Sequence, residues 1–236
     1  MTDIPTLVRV VREMIEDYEK QNTCYLELRS TPKCLGGKTK KDYVDAILNV
    51  IAQAEEQLPQ IKVRYVLSIN RQGTVQQAEE ILQLLEEVKS PHIVGVELSG
   101  DPRVGNWEDF RDVLDKARSQ YGKKISLHCA EVEEQAKESR GMIDFKPDRL
   151  GHCIYLTKEE MAEVVEKQIP VEICPTSNMA ACKTAFNQVN QLPQLQEFQR
   201  LNHNIIICCD DTSKSPTPTL TSLCSAIFNQ PFQRAL

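Results

Sequence analysis

"ISLHCAEVEEQAKESRGMIDFKPDRLGHC", residues 125–153, reads as strand, helix, strand. "ISLHC" and "RLGHC" are short apolar runs, and residues 131–142 between them have helical character. Two strands joined through a crossover helix lie parallel, and the connection is right-handed. The same alternation extends in both directions. Upstream, Leu7, Val11, Met14, Ile15 and Tyr18 recur at helical spacing, and "CYLEL" follows as a strand that ends in the breaker-rich "RSTPKCLGG". Helix "DYVDAILNVIAQAEEQL", strand "IKVRYVLSIN", helix "TVQQAEEILQLLEEVK", strand "IVGVELSGDP" and helix "WEDFRDVLDKARSQY" complete that side. Downstream come helix "TKEEMAEVVEKQ", strand "VEIC", a helix near 192–201 and strand "IIICC".

Seven strands repeating about every 25 to 30 residues predict an α/β fold with a parallel sheet. The (β/α)8 TIM-type barrel fits best, in a truncated form with about seven strands present, and a doubly wound open sheet is the alternative. No linker interrupts residues 1–211, which read as one incomplete barrel domain. Residues 212–236, rich in Ser, Thr and Pro, lose the pattern and read as a divergent, loosely ordered tail.

A net charge of -6 over 236 residues, with no basic run, excludes an electrostatic case for nucleic acid or an anionic membrane. No apolar stretch approaches the roughly 20 residues of a membrane span, and "MTDIPTLVRVVREM" reads as an amphipathic helix rather than a signal peptide. The nine cysteines lack C-x-x-C spacing and sit mostly in strand patterns, so packed, reduced thiols in the cytosol are expected.

In a parallel barrel the chemistry collects at the carboxyl ends of the strands. There the sequence places Ser30-Thr31-Pro32-Lys33, Asn70, Ser99-Gly100-Asp101, His128 with Glu131, His152, Thr176-Ser177-Asn178 and Asp210-Asp211. Alone, His152 reads first as a packed strand histidine satisfied by a hydrogen bond, and only second as a site residue. His128 with Glu131 three residues on suits a metal ligand beside a proton carrier, and equally a solvated histidine beside a capping glutamate. Two adjacent acids after an apolar strand are costly to desolvate unless a cation or donors satisfy them. One acid on a metal and the other on a substrate would meet that need, and so would a solvated loop.

As a set, "YLELRSTPK", "VELSGDP", "DRLGHC", "CPTSN" and "CDD" resemble the adenosine/AMP deaminase superfamily, and most closely its adenosine-deaminase-like N6-methyl-AMP deaminases. The resemblance implies a zinc-dependent hydrolytic enzyme that removes the 6-amino or 6-methylamino group of a purine nucleotide, with N6-methyl-AMP going to IMP and methylamine. It assigns His128 and Asp210 as zinc ligands and Glu131 as the proton donor to N1. It makes His152 the residue that orients and deprotonates the attacking water, and gives the purine edge to Gly100 and Asp211. Ser30, Thr31 and Lys33 offer hydroxyls and a cation to a 5′-phosphate, with Asn70 on the same rim. Free adenosine is the alternative substrate, and a catalytically inactive barrel remnant is the alternative of another class.

The sequence departs from the family in two places, after Asp211, where the family's pattern is no longer followed, and at the first strand. The His-x-His strand that supplies two further zinc ligands is absent, and the remaining histidines, His92 and His203, fall in helix-to-strand loops at the opposite rim. The missing first strand also leaves two sheet edges open, from which self-association is expected.

Overall fold

A computed structural model of the chain describes residues 1–181 and 191–210. Asp211 and the 212–236 segment lie outside the described residues. The chain divides into two compact units, Met1–Leu98 with Phe110–Lys124, and Ser99–Asp109 with Ile125–Leu236.

The first unit opens with α1, Ile4–Lys20, whose Leu7, Val11 and Ile15 are buried along one stripe. Asp3 caps it by accepting from the Thr6 N–H. Strand β1 (Tyr25–Ser30) pairs in parallel with β2 (Lys62–Asn70), in a register that sets Leu28 level with Tyr65. Between them lies α2 (Lys40–Gln57), and α3 (Val75–Val88) leads on to β3 (Ile93–Ser99). Both helices begin with capping boxes, Thr39 with Asp42 and Thr74 with Gln77. These satisfy two otherwise orphaned N–H groups at each start and fix where the strand-to-helix loops end. Helix α4, Arg111–Ser119, completes this unit after a 3-10 turn at Trp107–Phe110.

In the second unit β4 (Lys124–Cys129) pairs in parallel with β5 (Arg149–His152). Next come β6 (Val171–Ile173) and β7 (Ile205–Ile207), each parallel to the strand before it. The connections carry α5 (Ser139–Asp144), α6 (Lys158–Glu166), α7 (Pro175–Ala181) and α8 (Pro193–Arg200). The strands follow chain order, β1-β2-β3 in one unit and β4-β5-β6-β7 in the other. A doubly wound sheet reverses its order at a switch point, and neither unit does so. The expected parallel β/α architecture therefore holds.

Two local expectations are corrected. The segment 131–142 is not one helix but a 3-10 stretch, Glu133–Glu138, running into the short α5. "CPTSN", read as a strand-end loop, begins α7 at Pro175, where the missing N–H of a proline does no harm.

Alternate strand residues face opposite ways. Leu127, Cys129, Leu150, Val171 and Ile173 are buried on one face. The other face of each unit carries a polar cluster of the same three residue types. In the first unit Arg29 Nη1 lies 3.0 Å from Glu97 Oε2, and Ser68 donates to the same carboxylate. In the second, Arg149 Nη1 lies 3.2 Å from Glu172 Oε1, and Ser126 donates to Oε2 at 3.2 Å. Glu97 and Glu172 are both buried, where a polar group is costly unless it is paired and hydrogen-bonded.

Among the described residues the cysteines are free thiols: Cys24 and Cys34 are exposed, and Cys129, Cys153 and Cys174 are buried. Burial, then contact with Cys129, pushes the Cys153 thiol up. Its hydrogen bond with Cys208, then burial, does the same for Cys174. Because the thiolate is the reactive form, brief treatment of the native chain with iodoacetamide is expected to modify Cys24 and Cys34 and to spare Cys129, Cys153 and Cys174. Peptide mass spectrometry reads the outcome, and rapid modification of Cys153 would contradict this packing. Among the described residues no helix is long and apolar enough to cross a membrane.

Candidate active site

The carboxyl ends of β4, β5 and β7 bring four of the expected residues together. Register places His128 level with Gly151, and Cys129 level with His152. The His128 and His152 rings lie 4.8 Å apart between centroids, tilted by 54°. His152 Nε2 is 3.8 Å from Glu131 Oε2. Glu131, His152 and Asp210 each present a ligand atom, all within 4.8 Å of one another. His152 is only 1% exposed, so the histidine of "RLGHC" is both buried and part of the cluster.

The backbone is bent to achieve this. Ala130, His152 and Cys153 have φ of 47°, 65° and 55°, in the left-handed region that side chains avoid. The Cys153 N–H reaches back to the Gly151 carbonyl at 2.9 Å, closing a three-residue turn with His152 at its centre. The Cys129 carbonyl also accepts from Cys153 N–H, at 3.0 Å, tying the turn to β4. Each such residue stores on the order of 1–2 kcal/mol, and strain of this kind gathers at functional sites.

Two buried amides hold the cluster from behind. Gln135 accepts from the Glu131 N–H at 2.9 Å and donates to the His128 carbonyl at 2.9 Å, so one side chain closes the loop between them. Asn178 accepts from the Cys174 N–H at 3.1 Å, while its Nδ2 lies 2.9 Å from His152 Nδ1. Gln135 was not among the expected site residues, and Asn178 was noted only as part of a polar strand end. The signal for Asn178 was present in "CPTSN", while an amide in the helical segment after β4 carries no comparable mark.

His128 Nδ1 is buried without a hydrogen-bond partner among the described residues. Glu131, His152 and Asp210 offer one nitrogen and two oxygen donors, a set that suits a divalent cation, and His128 lies next to this group through its ring contact with His152. The residues present therefore fit a metal.

A family model described as adenosine deaminase matches residues 2–222. The chain belongs to the adenosine deaminase family. Similar to it are an N6-mAMP deaminase of Arabidopsis thaliana, 34% identical over 89% of this chain, and N6-methyl-AMP deaminase-L of Xenopus laevis, 36% identical over 87%. The chain spans 64% and 60% of those two proteins. Among solved structures, an ADAL–IMP complex superposes with a TM-score of 0.86 at 33% identity, covering 97% of this chain and 69% of the other. An amidohydrolase with bound zinc, 19% identical at a TM-score of 0.76, shares the fold.

The other expected positions divide between the units. Gly100, exposed at the end of β3 with φ 106°, belongs to the second unit, beside Asp101, which pairs with Arg103 through both carboxylate oxygens at 2.9 Å. Ser30, Thr31, Lys33 and Asn70 belong to the first. There Ser30 Oγ shares a 2.8 Å hydrogen bond with the Tyr65 hydroxyl, Thr31 is half-buried and Lys33 is exposed. Asn70 Oδ1 accepts from the Gln72 N–H at 3.0 Å, a turn-forming bond. His203 Nε2 lies 2.8 Å from the Ile169 carbonyl, and His92 Nδ1 lies 3.5 Å from Arg64. Each precedes its strand, His92 before β3 and His203 before β7.

Proposed function

We propose that the chain is a zinc-dependent hydrolytic deaminase whose substrate is N6-methyl-AMP, giving IMP and methylamine. The observation that carries the proposal is the gathering of Glu131, His152 and Asp210 beside His128 at strand ends, in a chain of this family. The net change is balanced: an oxygen from water bonds C6 and the C6–N6 bond breaks. One proton remains on N1 and one leaves with the amine.

His128 and Asp210 would hold the metal. Bound zinc lowers the pKa of water toward neutrality and so supplies a nucleophile. Glu131, in its carboxylic acid form, delivers the proton to purine N1, which lets the ring accept the attacking oxygen at C6. His152 sets the position of that oxygen, and Gly100 and Asp211 meet the purine edge. The test is incubation with zinc and N6-methyl-AMP, AMP or adenosine, with chromatography of purines and amines. Methylamine and IMP in equal amounts are expected, and no turnover of any of the three would overturn the reading.

Ser30, Thr31 and Lys33 are the proposed 5′-phosphate contacts. A hydrogen bond from a charged donor contributes about 1.5–3 kcal/mol, so Lys33→Ala is expected to raise KM for the nucleotide by roughly tenfold or more. The KM for adenosine should stay unchanged. Equal effects on both substrates would remove Lys33 from the phosphate site.

A further inference from the structure

Asn178 is fully buried at the start of α7, 26 residues from the histidine it touches. A carboxamide has one accepting end and one donating end. Its orientation is usually a matter of assignment, but here the backbone decides it. The Cys174 N–H can only donate, so the group it meets at 3.1 Å must be Asn178 Oδ1. Nδ2 is then the end that faces His152 Nδ1 at 2.9 Å, and an NH2 group can only donate. His152 Nδ1 must accept, which leaves the ring proton on Nε2. Turning the amide over would set two donors against each other at both ends, inside a pocket that holds His152 at 1% exposure.

From this geometry we infer that Asn178 is a positioning residue that locks His152 in its Nε2–H form. His152 therefore enters the site as a hydrogen-bond donor to an oxygen, and not as a ligand of the cation or as the acceptor of a proton from water. The lock resolves an ambiguity in the cluster. Glu131, His152 and Asp210 all lie within ligand distance of one another, but a metal needs a lone pair, and Nε2 has none to offer while it carries the proton. On this inference His152 orients water through N–H donation from Nε2, the atom that lies 3.8 Å from Glu131 Oε2.

The tautomer stands on geometry alone, and its bearing on catalysis rests on the deaminase reading. The test is nitrogen NMR of the full chain labelled with 15N-histidine, with the His152 signals assigned by their loss in His152→Gln. Only four histidines contribute. A pyrrole-type Nε2 and a pyridine-type Nδ1 are expected, and both should persist when Zn2+ is added. Asn178→Asp puts an acceptor at both ends of the same shape, so the pattern should reverse to Nδ1–H.

A wild-type ring with its proton on Nδ1, or with both nitrogens protonated, overturns the inference. So does loss of the Nε2 proton on zinc addition, or an Asn178→Asp spectrum unchanged from wild type. If Asn178→Asp does not fold, the wild-type spectrum with and without zinc still decides. Absence of product with the Nε2–H tautomer intact rejects the deaminase reading alone, and product formation with the proton on Nδ1 rejects this inference alone.

Discussion

Glu131→Gln is expected to lower the rate of N6-methyl-AMP deamination by about 10²–10⁴-fold, the range for loss of a positioned general acid. The amide keeps the volume and the acceptor of the side chain but has no proton to deliver to N1. The Glu131 N–H to Gln135 bond is a backbone contact and survives the change, so the loop should keep its shape. Circular dichroism and thermal unfolding of the variant should therefore match wild type while single-turnover chemistry collapses. Deamination at the wild-type rate would show that the proton reaches N1 from elsewhere.

Arg149→Ala is expected to be strongly destabilising. It strips the guanidinium 3.2 Å from Glu172, an almost completely buried carboxylate that also accepts from the Ser126 hydroxyl at 3.2 Å. Breaking a buried pair from one side costs about 3–5 kcal/mol, because the remaining charge has lost its water without keeping its partner. In a chain of this size each kcal/mol lowers Tm by about 2–4 °C, so a fall on the order of 10 °C should appear by calorimetry. The double variant Arg149→Met with Glu172→Met removes both charges and should recover most of the loss. A double variant no more stable than Arg149→Ala would show that the arginine acts by packing alone.

The order of strands and helices was legible because apolar spacing switches between periods of two and near four at each boundary, as it does around 125–153. His128, Glu131, His152 and Asp210 were legible for a related reason: each closes or follows a strand, and strands laid in chain order bring their ends together. What the sequence hid depends on contacts between distant segments. Gln135 looks like any helical amide until the chain folds it beneath β4, and that inward turn accompanies the 3-10 stretch where a regular helix was expected. The hold of Asn178 on His152 spans two connections and could not be read from spacing. Arg29, Glu97, Arg149 and Glu172 sit inside apolar strands, and only the fold shows that they meet in like clusters.

The bridge from Gln135 to both Glu131 and His128 carries a thermodynamic consequence. It is built wholly from the chain's own atoms, so the separation between the proton carrier and the neighbouring imidazole is set during folding and not by whatever later enters the site. Ordering a flexible loop around a ligand draws conformational entropy out of binding, and a loop that is already ordered loses little. Ligand association at this cluster should thus resemble the docking of a rigid receptor, with a modest entropy change and an on-rate set by encounter rather than by rearrangement.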